Sequence, residues 1–197
     1  MPRGEEARVA LIDAAMQEAS RIGLAAVTLA PVAKRAGWSK GGLLRHFPTR
    51  ESLQLAVVHR ATERFRQHVV LPALSSKSGG PRLRSLFHNW VRFATRSDLE
   101  GGCPLNAARL EFDDQPGEVR DAVAAAWAEL FAYLEKQAAK AIEQRELKTE
   151  LSPRQVAMLI TGLISACDSA FRLLGDRHAV RDAEQTFEQL FPAKSRI

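Results

Sequence analysis

The sequence is poor in cysteine: Cys103 and Cys167 are the only two in 197 residues. They have no metal-ligand spacing and make no disulfide framework, so a reduced, cytoplasmic protein is expected. No stretch reaches the roughly 18 apolar residues of a membrane span. The best run, Val156 to Ile164, is interrupted and soon meets Asp168, so no membrane partner is expected. MPRGEEAR, at the start, lacks the apolar segment of a signal peptide. Internal repeats, low-complexity tracts and strand-like alternation are missing too. The five histidines, His46, His59, His68, His88 and His178, form no HExxH or other ligand motif. There is no GxSxG, no phosphate-cradling glycine loop and no Cys–His signature. His59 and Glu63, at i and i+4, read as an exposed polar pair rather than a metal site. Cys103 reads as a packed cysteine rather than an activated thiol, and Asp113-Asp114 as a solvated turn. No catalytic residue, metal or cofactor is expected, and the chain is not expected to be an enzyme.

What is present describes a helical protein with a basic front. A length of 197 residues allows a sizeable core, and 46% hydrophobic with 26% charged residues is ordinary for a globular chain. The net charge of +5 is unevenly placed. Residues 1–60 hold 9 Lys/Arg and 5 Asp/Glu, a net of +4, whereas residues 61–197 hold 19 and 18, a net of +1. A basic excess confined to one segment suits phosphate binding.

That segment contains TLAPVAKRAGWSKGGLLRHFPTRESL, Thr28 to Leu53. Thr28 is a candidate N-cap, followed by Val32, Ala33 and Ala36 at helical spacing. Gly37 takes a left-handed φ without steric cost and ends that helix. Ser39 caps a second, short helix carrying Lys40, Leu43, Leu44, Arg45 and His46, which Phe47 and Pro48 close. Thr49 caps a third helix, with Glu51 in its first turn, where the helix dipole favours negative charge. Ala33 permits close approach, Gly37 makes the turn, and Leu43 and Phe47 plug the gap behind. This is the spacing of a helix-turn-helix, whose second helix reaches a major groove. An ordinary helical corner has the same local spacing.

Gly23, Thr28, Val32, Ala33, Ala36, Gly37, Ser39, Leu43, His46, Phe47, Arg50, Glu51 and Leu53 together resemble the DNA-binding domain of the TetR (tetracycline-repressor-like) family of bacterial transcriptional regulators. GCPLNAARLEF, Gly102 to Phe112, is similar to a segment in the effector domain of some members. Leu44 stands where the family usually has an aromatic, most often Tyr, and Pro31 lies in the first turn of the leading helix. The resemblance implies an all-α fold of about nine helices. Residues 1–48 would form the helix-turn-helix domain and 49–197 an effector-binding and dimerisation domain. It also implies DNA contacts at Thr28, Leu29, Ala30, Ser39, Lys40, Gly41, Gly42, Leu44, Arg45, His46 and Arg50.

Helical periodicity continues through the rest of the chain. A first helix, Glu5 to Ile22, carries a stripe of Val9, Ile12, Met16 and Ala19. The helix opened by Thr49 runs to about Leu71, with Arg60, Arg64 and Arg66 on a solvated face. SSKSGGP, Ser75 to Pro81, is a loop. Helices follow at about 82–96, 104–112, 118–144, 153–174 and 178–191. Aromatics concentrate between residues 87 and 133, interspersed with Asn89, Asn106 and Arg109. Apolar walls with a few placed polar groups suit a ligand pocket, and equally a plain core with a polar rim. The resemblance favours the pocket, with Trp90, Phe93, Asn106, Arg109, Trp127 and Phe131 as effector contacts. The helix starting at Pro153 is apolar over most of its circumference and must be covered on several sides. With the last helix it suits a two-fold contact through Leu159, Gly162, Leu163, Ala166, Phe187 and Leu190. The whole reads as a homodimeric repressor that binds a palindromic operator and is released by a small apolar or amphipathic effector. The rival readings are a small helical enzyme and a DNA-independent binding module, each using the aromatic region.

Overall fold

The computed structural model describes residues 4–95 and 98–192. Among these residues the regular structure is all helical. The chain forms two compact units, Met1–Arg64 with Ser97–Trp127, and Phe65–Arg96 with Ala128–Ile197.

In the first unit, α1 (Gly4–Ile22) is followed by a short 3-10 turn at Leu24–Ala26, then α2 (Leu29–Arg35), α3 (Lys40–His46) and α4 (Arg50–Phe65). Ala7, Leu11, Ile12, Ala15, Met16 and Ala19 are the apolar residues that α1 buries. Val9, expected on that stripe, is 39% exposed; the buried face runs through Leu11 and Ala15, one residue round the helix. Leu24, Val27, Val32, Leu43, Phe47, Leu53 and Val57 complete the centre of this core. The same core includes Leu99, Ala108, Phe112, Val119 and Val123, contributed by the 98–102 turn, by α7 (Pro104–Glu111) and by the start of α8 (Glu118–Glu143). Arg60 and Arg64 are not a solvated face. Arg60 pairs with Asp13 of α1 at 3.0 Å, and Arg64 pairs with Asp98. Sequence periodicity locates the outward side of α4 but not the acids of other segments that meet it.

In the second unit, α4 continues as a π-helical turn, Arg66–Val70, into the short α5 (Leu71–Ala73). α6 (Gly80–Thr95) buries Leu83, Leu86, Phe87, Trp90 and Phe93, as periodicity predicts; residue 96, the expected end of this helix, lies outside the described residues. α9 (Pro153–Leu173) opens with a complete capping box. Ser152 Oγ accepts from the Gln155 N–H, and the Gln155 side chain accepts from the Ser152 N–H. Its inward stripe is Val156, Ala157, Ile160, Ile164 and Cys167, and it packs against both α6 and α10 (Ala179–Glu188). α9 is also more continuously apolar than the sequence reading allows. An 18-residue window has mean hydropathy 1.5 and is one-third buried, so by length and composition alone it could cross a membrane. Its interruptions are small residues that barely lower the mean. Asp168 and Arg172 neutralise each other at 2.9 Å, and the inward stripe packs as a core helix does.

Candidate DNA-binding surface and effector region

The turn between α2 and α3 is built from backbone bonds and one glycine. Gly37 has φ +72°, and Trp38 N–H donates back to the Ala33 carbonyl at 2.8 Å. Ser39 then caps α3, its hydroxyl oxygen accepting from Gly42 N–H at 3.0 Å. Leu43 and Phe47 are fully buried and pin the inner side of α3. Lys40, Gly41 and Arg45 are exposed; Gly42, Leu44 and His46 are half-buried. Neither Lys40 nor Arg45 has an ion-pair partner among the described residues. Thr28 occupies the N-cap of α2 with extended backbone, but its side chain makes no cap bond; the expected hydroxyl cap is not formed. Leu29 is half-buried and Ala30 exposed. Thr49 does cap α4, accepting from Ser52 N–H at 3.0 Å. Arg50 is exposed and donates to the Ala25 carbonyl.

A polar network ties this motif to the segment after residue 98. Arg35, at the end of α2, donates to Glu18 of α1 at 2.6 Å and to Glu100 at 3.1 Å. Gly101 N–H donates to Ser20 Oγ at 2.7 Å, and that hydroxyl donates to the Gly102 carbonyl at 2.9 Å. A Cβ on Gly101 would overlap the Ser20 carbonyl oxygen, so only glycine lets the two backbones lie this close. Glu111 of α7 accepts from Ala25 N–H at 2.7 Å. Sequence reading missed this network, because its links to the later segment join residues 65 to 86 positions apart and share no local signal.

The six effector candidates divide between the units. In the first, the Arg109 guanidinium sits 4.8 Å from the centre of the half-buried Trp127 ring, and its Nε–H donates to the Asn106 side-chain oxygen at 3.2 Å. In the second, Trp90 and Phe93 are buried and meet Phe65 edge-on at 5.1 and 5.9 Å. Phe131 is half-buried beneath Arg154, 5.5 Å from its ring centre. The Tyr133 hydroxyl, absent from the expected contacts, is buried with no hydrogen-bond partner among the described residues. Cys167 is buried in the same unit. Burial first, then Asp168 and Glu184, pushes its thiol up from the usual range.

On α9, Met158, Gly162, Ala166, Ser169 and Leu173 are exposed along one line, with Met158 57% and Leu173 83% accessible. Leu159 and Leu163 flank it, half-buried. Phe187 and Leu190, expected on the same interface, are instead buried in their own chain. Phe187 stacks on Phe87 at 4.0 Å. Phe187 on α10 and Leu190 in the turn after it lie on the side that seals the core, and an amphipathic helix has only one such face.

Two family models match the sequence. Residues 11–57 match "Bacterial regulatory proteins, tetR family". Residues 79–187, more than half the chain, match "Tetracyclin repressor-like, C-terminal domain". The chain belongs to the TetR family. It is a transcriptional regulator of that fold, with a DNA-binding helix-turn-helix. No curated protein sequence is found to match. Several solved TetR-type structures share the architecture. A TetR transcriptional regulator from Chloroflexus aurantiacus is 24% identical, with a TM-score of 0.84 over 95% of this chain and 94% of that one. One from Agrobacterium tumefaciens is 16% identical, with a TM-score of 0.85 over 96% and 100%. AibR, solved with isovaleryl coenzyme A and operator DNA, is 20% identical, with a TM-score of 0.80 over 94% and 98%. At these identities the likeness concerns the fold.

Proposed function

We propose that this TetR-family protein is a homodimeric repressor that binds a palindromic operator and releases it when a small apolar or amphipathic effector binds. Residues 1–48 read the DNA, with Arg50 just beyond them on a phosphate; the rest of residues 49–197 take up the effector and pair the subunits. One observation carries the reading: Lys40 and Arg45 are exposed on α3 without ion-pair partners among the described residues, while several acids of the same unit are occupied. Asp13 is held by Arg60, Glu18 by Arg21 and Arg35, and Glu111 by the Ala25 N–H. Cations left over on a recognition helix suit phosphates and guanine edges.

In this reading Arg45 reaches base edges, with Leu44 and His46 beside it. Lys40, Arg50, the Thr28 hydroxyl and the backbone near Leu29, Ala30 and Ser39 position the phosphates. A Cβ at Gly41 would meet nothing within 4 Å, which leaves room for close approach to DNA. AibR, solved with an acyl coenzyme A and operator DNA, supports an operator and a small-molecule effector as partners. Arg109 over Trp127, with Asn106 beside it, suits an acidic or carbonyl group, and the Tyr133 hydroxyl suits an acceptor. The exposed line on α9 supports subunit pairing through Leu159, Gly162, Leu163 and Ala166.

Selection of duplexes from a randomised pool tests the function. The expected result is a two-fold symmetric consensus whose affinity falls steeply with salt. A protein that selects no symmetric sequence, or binds without salt dependence, is not this repressor.

A further inference from the structure

Gly42 lies in the third position of α3, yet what fills the space beside it comes from outside the helix. An ideal Cβ at Gly42 would stand 3.1 Å from Cε3 and 3.7 Å from Cζ3 of Trp38, and 3.3 Å from Ser39 Oγ. The benzo edge of the indole therefore lies tight against the place where a side chain at position 42 would start. His46, one turn on along the same side of α3, meets the indole edge-on, with centroids 5.8 Å apart at 83°. Trp38 packs against the head core yet stays half-exposed. Positions 42 and 46, both half-buried, share a side of α3 about a quarter-turn from the flank pinned by Leu43 and Phe47. An apolar ring beside the recognition helix is thus supplied by a residue of the preceding turn.

Resting on the repressor reading, we propose that Trp38 is a specificity-determining residue: its benzo edge, seated over Gly42, contacts the C5-methyl of a thymine in the major groove. The methyl is the one apolar mark that a base pair presents there. The half-buried indole, held beside Gly42 and His46, meets it without losing further side-chain freedom. The turn residue reads a base through the gap that Gly42 leaves, and its ring holds His46 in place for the neighbouring contact.

Deoxyuridine scanning of a duplex selected by the wild-type protein removes one methyl at a time. One thymine per half-site should cost the wild type about fourfold in affinity, the worth of roughly one buried methyl group. Trp38→Ala should bind that duplex and its deoxyuridine version equally. A flat scan for the wild type, or the same penalty in Trp38→Ala, overturns the assignment while leaving the repressor reading standing. Loss of all symmetric binding by the wild type overturns both. A second measurement leaves Trp38 intact. In the Trp90→Phe/Trp127→Phe protein, acrylamide quenching of the remaining tryptophan should fall severalfold on the selected duplex and much less on unrelated DNA. Equal quenching with and without the selected duplex overturns the proposal.

Discussion

Glu18 is a carboxylate at 6% exposure, and its titration is the sharpest single-residue property of the head. Burial pushes its pKa up, but hydrogen bonds and charge from Arg35 and Arg21 outweigh that and hold it below the ordinary value of 4.5. A carboxyl whose folded pKa is depressed adds stability that is fully present above its unfolded pKa and is lost as pH falls through the folded one. Glu18→Gln should therefore destabilise the protein by about 1–3 kcal/mol at pH 7. The gap between variant and wild type should shrink steadily below about pH 4.5. Urea denaturation across that range checks both; a gap independent of pH would mean that the guanidiniums do not hold the charged form.

At the scale of the helices, the caps were the most legible feature. Ser39, Thr49 and Ser152-Pro153 sit where the sequence places them, because a cap is a local exchange between a hydroxyl and an N–H three residues on. The π-helical turn was illegible. Such a turn departs from the regular i to i+4 ladder, and a side-chain donor that meets it, Asn89 Nδ2 on Val69 O at 3.2 Å, comes from twenty residues further along the chain. Asn89→Leu should lower stability by about 1–2 kcal/mol, read from the melting temperature, whereas a wild-type melt would show the bond to be idle. Outward and inward faces of α9 were separable only in part. Its small residues line the exposed side, as expected, but the partner stripe on α10 turned inward. A Cβ added at Gly162 meets no atom outside its own stretch of helix within 4 Å among the described residues. The protomer should fold normally while dimerisation weakens by about 1–3 kcal/mol through overpacking. Analytical ultracentrifugation separates this from a dimer that pairs elsewhere.

Across the whole molecule, the proposed reading puts DNA recognition on α3, where Lys40 and Arg45 are exposed. Arg45→Ala should lose specific binding more than non-specific binding. Arg50→Ala should weaken both alike and flatten the salt slope by about one unit. Fluorescence anisotropy over a salt series decides, and equal effects from the two changes would reverse the assignment. That the front of the chain would be a helix-turn-helix was readable from the contiguous stretch Gly23 to Leu53. That its core would need residues 99–123 was not, since nothing near residue 100 announces which distant helix it will cover.

The docking of that later segment bears on whether the DNA-reading part can be excised. A fragment ending after α4 keeps every residue of the motif but strips away Leu99, Ala108, Phe112, Val119 and Val123, and with them the acceptor of the Ala25 N–H and one of the two acids on Arg35. The fragment should collapse without fixed packing, giving poorly dispersed amide resonances, whereas a chain running on to Trp127 restores the missing wall. Autonomy here is not a property of the stretch that looks like a domain; it is lent by residues translated long after it.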